Sequence, residues 1–351
     1  MNNTELQNKN FSQDISTWYL SLGRNTLPWR KNISPYRIWI SEIMLQQTQV
    51  KTVIPFFNNF IKTYPNLKSI ASASEDDVLA LWSGLGFYRR AKNIYKTKEI
   101  IKKEFGNRFP KTFEELLHLP GIGRSTAGAI MSIAYQKPYP ILDANVKRVL
   151  SRYKDLNVND KDSIKKLWSL SEELTPEKNI FEYTQGIMDL GATVCTLKSQ
   201  NCSKCPLNNG CKNAYKDFQF DSKAKKDKPK KKIYFTLART KKSFLLFKKN
   251  ERSYWESLWV PYNTDNHDKN ILFKKPDKRE VTTIKHLLSH LELEITIEIF
   301  NYNSPFKIKS NLEHQWINKD QIHKYGLPKP IKTIIDNLSL IHISEPTRLC
   351  R

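Results

Sequence analysis

The stretch Leu119–Ile130, LPGIGRSTAGAI, decides how the first half of this 351-residue chain folds. It lies between two helical patterns, the first of which opens with a capping-box pair, Thr112 and Glu115. Gly121 and Gly123 allow a tight backbone turn and bring bare N–H groups, with the positive N-terminus of the next helix, against a phosphate. The stretch therefore predicts a helix–hairpin–helix that holds a nucleic-acid backbone without reading its sequence. An ordinary corner between two helices is the alternative.

Helical patterns also surround this hairpin. Ser34 and Pro35 offer an N-cap and a first-turn proline, and apolar side chains follow at helical spacing at Trp39, Ile40, Ile43 and Met44. A further helix opens near Asp143, with an apolar stripe at Val146, Val149 and Leu150. Because alternating strand patterns are few here, residues 11–215 predict a mainly α-helical domain.

A lysine-rich stretch separates this helical part from the rest of the chain. Lys223–Lys232 reads KAKKDKPKKK, so residues 216–232 predict a solvated basic linker. Beyond the linker, β-branched and alternating residues predict strands at Ile233–Leu237, Phe244–Phe247 and Leu293–Phe300. Thr282–Leu291 is consistent with either a helix or a strand. Residues 233–337 thus predict a second, smaller α+β or β-rich domain.

Positive charge is spread along the whole chain. Its 58 Lys and Arg residues against 35 Asp and Glu residues give a formal net charge of +23, with no acidic domain to offset it. This balance favours a polyanionic partner, most simply nucleic acid. No stretch approaches the roughly 18 consecutive apolar residues of a membrane span, and the polar N-terminus lacks the apolar block of a signal peptide. We therefore expect a cytoplasmic protein without a membrane partner.

The last residues do not look like native sequence. Residues 338–348 read LSLIHISEPTR, which looks like the translation of a transposase-based sequencing adapter. We therefore expect residues 338–351 to be an assembly artefact and leave them out of the fold prediction, as cloning scars are left out.

Four cysteines lie within one short segment. Cys195, Cys202, Cys205 and Cys211 follow the spacing C-x6-C-x2-C-x5-C, which offers four thiolates to one metal centre. An all-sulfur set suits zinc or an iron–sulfur cluster, but zinc ribbons pair two C-x2-C knuckles, and that arrangement is absent here. The long first gap and Pro206 favour a compact loop around a cubane cluster. Lysines around the loop suggest that such a cluster braces a phosphate-binding surface.

Two carboxylates are placed for acid–base chemistry. Glu42 lies between the apolar residues Trp39 and Ile43 on a predicted helix, so burial is expected to hold its proton near neutral pH. Asp143 stands at the start of a later helix. One protonated acid and one ionised carboxylate are what cleavage of an N-glycosidic bond needs. Each residue also has a structural interpretation, a solvated helix position for Glu42 and a plain N-cap for Asp143.

Five motifs occur in the order of one known family. They are SEIMLQQTQV (Ser41–Val50), GLGFYRRAKN (Gly84–Asn93), LPGIGRSTAGAI (Leu119–Ile130), ILDANVKRVL (Ile141–Leu150) and the four-cysteine spacing. Together they resemble the MutY adenine DNA glycosylases of the helix–hairpin–helix superfamily, which includes endonuclease III. The resemblance implies two helical subdomains with DNA and a flipped adenine between them, one [4Fe–4S] cluster per chain, and a C-terminal Nudix-like domain that recognises 8-oxoguanine.

The resemblance also implies a reaction. A monomer would hydrolyse the N-glycosidic bond of adenine mispaired with 8-oxoguanine or guanine in duplex DNA, in base excision repair within a bacterial nucleoid. Glu42 would protonate adenine at N7, Asp143 would stabilise the oxocarbenium-like sugar, and Asn145 would support Asp143. A transient covalent bond between Asp143 and the sugar remains open. The four cysteines would hold the cluster.

Further contacts to DNA follow from the same resemblance. Gln47 and Phe87 would fill the space left in the base stack, since unstacking costs roughly a few kcal/mol. Arg30, Lys147 and Asp189 would line the pocket or the nearby DNA. The other expected DNA-binding residues are Thr48, Tyr88, Gly121, Gly123, Arg124 and Ser125.

Position 125 separates two branches of this superfamily. Endonuclease III-type lyases carry a lysine at this place in the hairpin helix, where the amine forms a Schiff base with the sugar. Ser125 has no amine, so hydrolysis without strand cutting is expected, while weak lyase chemistry through Lys147 stays open. The rival hypotheses are an endonuclease III-type lyase acting on oxidised pyrimidines and a non-catalytic iron–sulfur protein that binds DNA.

The second domain departs from the family pattern. The family's Phe-Ser-His motif appears as Leu288-Ser289-His290, so Ser289 and His290 keep their hydrogen-bonding groups for the lesion, but Leu288 does not stack as Phe does. Phe87 likewise replaces a commoner Tyr and lacks its hydroxyl. Because no REx2EE-like hydrolase signature occurs, we expect this domain to bind nucleotides without hydrolysing them.

Overall fold

The computed structural model describes residues 3–158, 160–216, 227–250, 254–264 and 273–340. The chain divides into two compact units, here called the first unit (residues 1–72 and 96–224) and the second unit (residues 73–95 and 225–351). Residues 73–95 therefore belong with the C-terminal part of the chain, although in the sequence they lie inside the predicted helical domain. This segment carries Phe87 and Tyr88, two of the expected DNA-binding residues.

Helices account for most of the described chain up to residue 193. In chain order they are α1 (Asn3–Leu22), α2 (Pro35–Leu45), α3 (Val50–Thr63), α4 (Leu67–Ile70), α5 (Glu75–Trp82), α6 (Arg89–Glu104), α7 (Phe113–Leu117), α8 (Arg124–Ala134), α9 (Ala144–Lys154), α10 (Ser163–Leu174) and α11 (Ile180–Thr193). A short 3₁₀ helix, Pro28–Arg30, precedes α2. The prediction of a mainly helical N-terminal domain is confirmed.

The core of the first unit is built from the apolar helix faces that the sequence predicts. On α2, Trp39, Ile40, Ile43 and Met44 are at most 1% exposed. The helix begins as expected, because the Ser34 hydroxyl accepts a hydrogen bond from the Arg37 N–H at 3.3 Å and Pro35 occupies the first turn. Each buried side chain contributes roughly 2 kcal/mol of transfer free energy. This packing fixes the rotation of α2 and therefore the direction of Glu42.

The predicted hairpin forms between α7 and α8. Thr112 and Glu115 form the capping box that opens α7, and Gly123 is the N-cap of α8. Gly121 has a φ of +82°, a backbone conformation that any side chain would strain. The first N–H groups of α8 have no partner within the helix, so this turn is built as an anion-binding N-terminus.

A mixed sheet forms most of the second unit. Its strands are β1 (Lys230–Arg239), β2 (Ser243–Lys248), β3 (Trp259–Val260), β4 (Tyr262–Asn263), β5 (Lys278–Leu287), β6 (Glu292–Asn301) and β7 (His314–Asn318). Their order is β3-β2-β1-β6-β5, with β4 paired to β1 and β7 paired to β2. Only β1 and β6 pair in parallel among these strands, with Lys230 opposite Glu292 and Arg239 opposite Asn301. Helix α12 (Lys329–Leu340) follows the sheet.

The sheet agrees with the strand predictions and resolves the ambiguous segment. The three predicted strands lie within β1, β2 and β6, and most of Thr282–Leu291 lies in β5. Strand β5 stands at the end of the sheet order and has no buried residue, whereas β6 beside it buries Leu293, Ile295 and Ile297 completely. Thr282–Leu291 therefore has a weak strand pattern in the sequence because β5 is an edge strand with little apolar surface to bury.

The linker and the C-terminal tail are only partly described. Strand β1 begins at Lys230, inside the predicted linker, because the last lysines pair with the acidic start of β6; Lys232 Nζ lies 3.7 Å from the Glu294 carboxylate. Residues 217–226 lie outside the described residues. So do residues 341–351, whereas Leu338 is a buried residue of α12. In the described residues no helix combines the length and the apolar character needed to cross a bilayer.

Candidate active site and cysteine loop

Glu42 lies on α2 among the most deeply buried side chains of the first unit. The residue as a whole is half-buried. Burial above all, and then the charge of Asp143, raise the pKa of Glu42 from its usual 4.5 to about 7, while the charge of Arg30 opposes this rise. The two predicted carboxylates therefore share one site, and Glu42 holds a proton near neutral pH.

Asp143 is the N-cap of α9. One carboxylate oxygen accepts a hydrogen bond from the Val146 N–H at 2.7 Å, and the other accepts one from the Asn145 side-chain amide at 3.2 Å. Burial raises the pKa of Asp143 above its usual 3.8, while these two donors and the Arg148 charge oppose the rise. Asp143 is therefore the N-cap of α9, and the fixed donors on its two oxygens would also support a negative charge there.

Asn145 is itself held by a residue that the sequence patterns did not single out. Arg148 donates from Nη2 to the Asn145 amide oxygen at 2.8 Å, and from Nε to the Cys195 carbonyl at 2.8 Å. Helix α11 approaches so closely that a Cβ on Gly191 would stand 2.7 Å from the Asn145 Cβ. The orientation of Asn145, and through it that of Asp143, is thus set by α9 and α11 together.

Arg30 and Asp189 form a buried ion network instead of facing open solvent. Asp189 is completely buried on α11, and its carboxylate accepts two hydrogen bonds from the Arg30 guanidinium at 2.6 and 2.8 Å. Arg24 adds its backbone N–H at 2.9 Å and its side chain at 2.6 and 2.8 Å. Burial works against the charge of Asp189, but the hydrogen bonds and charges of both arginines lower its pKa. Two cations against one anion leave this network positive beside Glu42.

The hairpin residues and Lys147 belong to the first unit as well. Ser125 accepts a hydrogen bond from the Leu142 N–H at 3.0 Å, so it supports the segment that leads into Asp143. The guanidinium of Arg124 pairs with Glu172 and lies 3.9 Å from the Trp168 ring centre. Lys147 lies half-buried in the second turn of α9.

The turn between α2 and α3 carries two more expected DNA contacts. Gln47 is exposed. Its φ of +56° lies in the left-handed region, so the backbone of this turn is strained at Gln47. The Thr48 hydroxyl donates to the Gln46 carbonyl at 3.3 Å, and the Gln46 side chain donates to the Gly121 carbonyl at 3.3 Å. The structure therefore ties this turn to the hairpin.

The expected contacts at Phe87, Tyr88, Ser289 and His290 all belong to the second unit. Phe87 is 44% exposed and has a φ of +50°, whereas Tyr88 is half-buried and burial raises its pKa to about 12. Ser289 and His290 are exposed in the turn between β5 and β6, with the Ser289 hydroxyl 3.3 Å from Nδ1 of His290. Leu288, between them and β5, is half-buried.

The four cysteines follow α11 as free, half-buried thiols. Arg152 points Nη1 at the Cys195 sulfur at 3.3 Å, and the Tyr215 N–H donates to the Cys202 sulfur at 3.3 Å. Burial above all, and then the neighbouring Cys195, Cys211 and Cys202, raise the pKa of Cys205, while a backbone donor at Leu207 opposes the rise. The other three cysteines thus lie near enough to Cys205 for their charges to affect it.

This loop has the ligands for an iron–sulfur cluster without being arranged as a finished coordination site. In the described residues, no three His, Cys, Asp or Glu side chains are grouped to hold a metal ion. The donor set still suits a cluster, because it consists of four sulfurs and because cationic and N–H donors already point at two of them.

Comparison with known proteins shows which family the chain belongs to. Residues 40–173 match the description "HhH-GPD superfamily base excision DNA repair protein", and residues 233–337 match "NUDIX domain". The chain is 43% identical over 341 residues to the adenine DNA glycosylase of Buchnera aphidicola subsp. Schizaphis graminum (strain Sg). The aligned residues cover 93% of this chain and 98% of that protein. The chain belongs to the adenine DNA glycosylase family. The resemblance inferred from the five motifs is confirmed.

A more distant relative and two solved structures match a smaller share of the chain. The human adenine DNA glycosylase is 38% identical over 213 residues, covering 58% of this chain and 39% of that protein. A thermostable thymine-DNA glycosylase superposes with a TM-score of 0.54 at 29% identity, over 60% of this chain and 98% of its own. A trapped endonuclease III–DNA intermediate superposes with a TM-score of 0.51 at 19% identity, over 60% of this chain and 97% of its own. This likeness shows that the two proteins share a fold.

Proposed function

We propose that this member of the family is a monofunctional glycosylase that releases adenine mispaired with 8-oxoguanine or guanine in duplex DNA. One observation carries the proposal: Glu42 and Asp143 lie in one site, where Glu42 has a pKa of about 7. A general acid is most effective when its pKa lies near the working pH. The relatives named adenine DNA glycosylase and the site's net positive ion network support duplex DNA as the partner. We infer that the chain acts as a monomer and is associated with the nucleoid through DNA.

The proposed reaction divides the work between the two carboxyl groups. Glu42 gives its proton to N7 of a flipped adenine, and the C1′–N9 bond breaks with its electron pair leaving on the base. Asp143 remains ionised and stabilises the cationic sugar. A water molecule then adds at C1′ and loses a proton to the solvent, which leaves a neutral abasic sugar, and Glu42 takes up a proton again from the solvent. Asn145 keeps Asp143 in position through its 3.2 Å hydrogen bond. Preorganised charge of this kind acts strongly in a site that excludes water.

The residues around the pair suit hydrolysis better than lyase chemistry. Ser125 has no amine to attack the sugar, and its hydroxyl already supports Leu142. The buried network of Arg30 and Asp189 is better suited to shaping the base pocket than to contacting phosphates, because both side chains are almost fully buried. Gln47, Thr48, Gly121, Gly123, Arg124 and Lys147 are the proposed contacts to the DNA in the first unit.

We also propose that Cys195, Cys202, Cys205 and Cys211 hold a [4Fe–4S] cluster. When bound, the cluster would brace the loop of residues 195–211 and present its lysines to the DNA backbone, with no part in bond cleavage. The donors from Arg152 and Tyr215 to two of the sulfurs support anionic thiolates at this place.

Replacing Cys202 with Ser should remove the cluster. One thiolate ligand is lost, so the visible absorbance of the purified protein should disappear and its affinity for duplex DNA should fall by about 10-fold or more. Absorption spectra and binding isotherms measure both effects. Ser203→Ala is the matched control in the same loop, since the Ser203 hydroxyl contacts only the Asn201 side chain at 2.9 Å among the described hydrogen bonds. Full absorbance in Cys202→Ser would contradict the ligand assignment.

The second unit is proposed to read the lesion through Ser289 and His290. Both are exposed at the tip of the β5–β6 hairpin, where a base edge has free access. Replacing both by Ala should lower the preference for 8-oxoguanine over guanine opposite adenine by about 10-fold, as expected when hydrogen bonds to one base are lost. Rates on the two duplexes measure this ratio.

The matched control for that pair is the double change of Ser304 and His323 to Ala. Both residues are exposed in the same unit and lie elsewhere in its sequence. We expect the control to keep the wild-type preference. An unchanged preference in the Ser289 and His290 variant would assign lesion reading to other residues.

A single-turnover assay tests the proposed function. Duplexes with adenine opposite 8-oxoguanine, guanine or thymine are incubated with excess protein, and free adenine and strand breaks are measured separately. We expect adenine release, fastest opposite 8-oxoguanine, with strands that break only after alkali. Efficient borohydride trapping on abasic DNA would favour the lyase instead, and binding without release would favour a non-catalytic protein.

A further inference from the structure

The loop of residues 83–88 is tied to the backbone of one residue, Leu327, in the C-terminal part of the second unit. The Leu327 carbonyl accepts hydrogen bonds from the Ser83 hydroxyl at 3.0 Å and from the Tyr88 hydroxyl at 2.9 Å, and the Leu327 N–H donates to the Ser83 hydroxyl at 3.3 Å. The Tyr88 oxygen also accepts from the Gly84 N–H at 3.1 Å. Ser83 is 6% exposed and Leu327 2%. A buried polar cluster that is paired in this way permits one arrangement of the loop.

The segment that carries Leu327 is itself fixed. The Gly326 carbonyl accepts from the Trp259 N–H of β3 at 2.9 Å. A Cβ on Gly326 would stand 2.7 Å from the Leu79 Cβ and 3.2 Å from the Leu79 carbonyl carbon, so the bare backbone packs directly on α5. An ion pair of 2.9 Å between Asp76 of α5 and Lys248 of β2 holds the same helix. The loop therefore takes its support from residues that follow it by more than 150 positions in the chain.

The loop needs this support because its backbone is strained. Gly84, Gly86 and Phe87 have φ values of +102°, +82° and +50°, and Phe87 adopts this conformation with its ring 44% exposed. Phenylalanine rarely occupies the left-handed region unless its surroundings impose it. The Arg90 guanidinium lies 5.2 Å from the Phe87 ring centre and donates to the Gly86 carbonyl at 3.2 Å. The Phe87 ring is thus exposed on a loop that is hydrogen-bonded to the Leu327 backbone.

We propose that Ser83, Tyr88 and the Leu327 peptide form a clasp through which the C-terminal part of the chain positions Phe87 to enter the base stack. This rests on the proposed function, which assigns the stack-filling role to Phe87. Ser83 and Tyr88 are positioning residues and act through the loop; the Tyr88 hydroxyl, which the sequence resemblance assigned to DNA contact, donates to the Leu327 carbonyl instead. The clasp works for any base opposite adenine, so the second unit supports base flipping independently of its reading of the lesion. Loss of a clasp hydroxyl leaves the buried Leu327 carbonyl short of a donor and frees the loop to relax.

Tyr88→Phe is the first test, because it removes only the hydroxyl. With 2-aminopurine in place of the target adenine, fluorescence rises when the base leaves the stack. We expect the fluorescence-detected flipping equilibrium and the single-turnover rate to fall by about 10-fold, equally opposite 8-oxoguanine and opposite guanine. Affinity for a duplex with a tetrahydrofuran abasic analogue should stay unchanged, since no base has to be unstacked there.

A second variant and a double-mutant cycle separate positioning from general stability. Gly326→Ala pushes the Leu327 segment away from α5 and should give the same defect; if it does not fold, Tyr88→Phe decides alone. In a Phe87→Ala background, Tyr88→Phe should cost nothing further, because the ring that the clasp positions is absent. Tyr302→Phe is the matched control: its hydroxyl donates to the Lys274 carbonyl at 2.7 Å in the same unit, and its loss should leave flipping unchanged.

The outcomes distinguish the clasp from the proposed function. If the wild-type protein releases no adenine and raises no 2-aminopurine fluorescence, the proposed function fails. If the wild-type protein does both and Tyr88→Phe equals it, the clasp fails alone. A defect confined to 8-oxoguanine duplexes, or one that adds fully to Phe87→Ala, also overturns the clasp.

Discussion

Glu42→Gln is expected to abolish adenine release while duplex binding survives. Glutamine keeps the size and the polar surface of the side chain but has no proton to give to N7 of adenine. General acid catalysis typically contributes about 10²- to 10⁴-fold, so we expect the single-turnover rate to fall by at least about 100-fold. Quench-flow or manual single-turnover assays with an 8-oxoguanine duplex measure this rate, and a binding isotherm on the same duplex measures affinity.

The stability of this variant provides an internal check. The pKa of Glu42 is raised on folding, so the native state binds the proton more tightly than the unfolded chain, and stability is lost as pH rises from about 4.5 through about 7. Glutamine does not titrate, so Glu42→Gln should be at least as stable as the wild-type protein above pH 7. Glu177→Gln, at an exposed position of the first unit, is the matched control and should keep the wild-type rate. A Glu42→Gln protein with a rate within 10-fold of the wild type would remove Glu42 from catalysis.

Asp143→Asn is expected to lower the single-turnover rate of adenine release by a similar factor, for a different physical reason. Asparagine is as good an N-cap as aspartate and still offers an oxygen to the Val146 N–H, so α9 should keep its start. The negative charge beside the sugar is lost, and with it the stabilisation of the oxocarbenium-like transition state. Removing a preorganised electrostatic contact usually costs about 10²- to 10³-fold in rate, and a full charge should cost about 10³-fold or more.

Asp162→Asn is the control for this change, because it makes the same substitution at the N-cap of α10 in the same unit. We expect equal melting temperatures for both variants and a wild-type rate for Asp162→Asn. A slow but folded Asp143→Asn protein separates the role of the charge from the role of the cap. If both variants kept the wild-type rate, Asp143 would be a helix cap and nothing more.

The local parts of the site were predictable from sequence because local rules produce them. The cap at Ser34, the capping box of Thr112 and Glu115, and the N-cap at Asp143 each depend on residues three or four positions apart. Trp39 and Ile43 bury one face of α2, so the environment of Glu42 follows from helical spacing. Local patterns also place the strands of the second unit, through alternating apolar residues in β6 and a continuous apolar run in β2.

The supporting contacts were not predictable because they join distant parts of the chain. Arg24 and Asp189 are 165 positions apart, and no periodic pattern connects them. In the sequence, Arg148 is one of several basic residues of α9. Only the structure shows that it orients Asn145 through a hydrogen bond. Residues 73–95 belong to the second unit through the contacts of Ser83 and Tyr88 with Leu327, which only the folded chain brings together.

The pH dependence of adenine release tests the central claim most directly. Under single-turnover conditions with an 8-oxoguanine duplex, the rate should fall by about 10-fold per pH unit above about 7, as Glu42 loses its proton, and fall again at low pH as Asp143 gains one. Glu177→Gln should show the same profile. A rate that stays constant from pH 6 to pH 9 would contradict proton donation by Glu42.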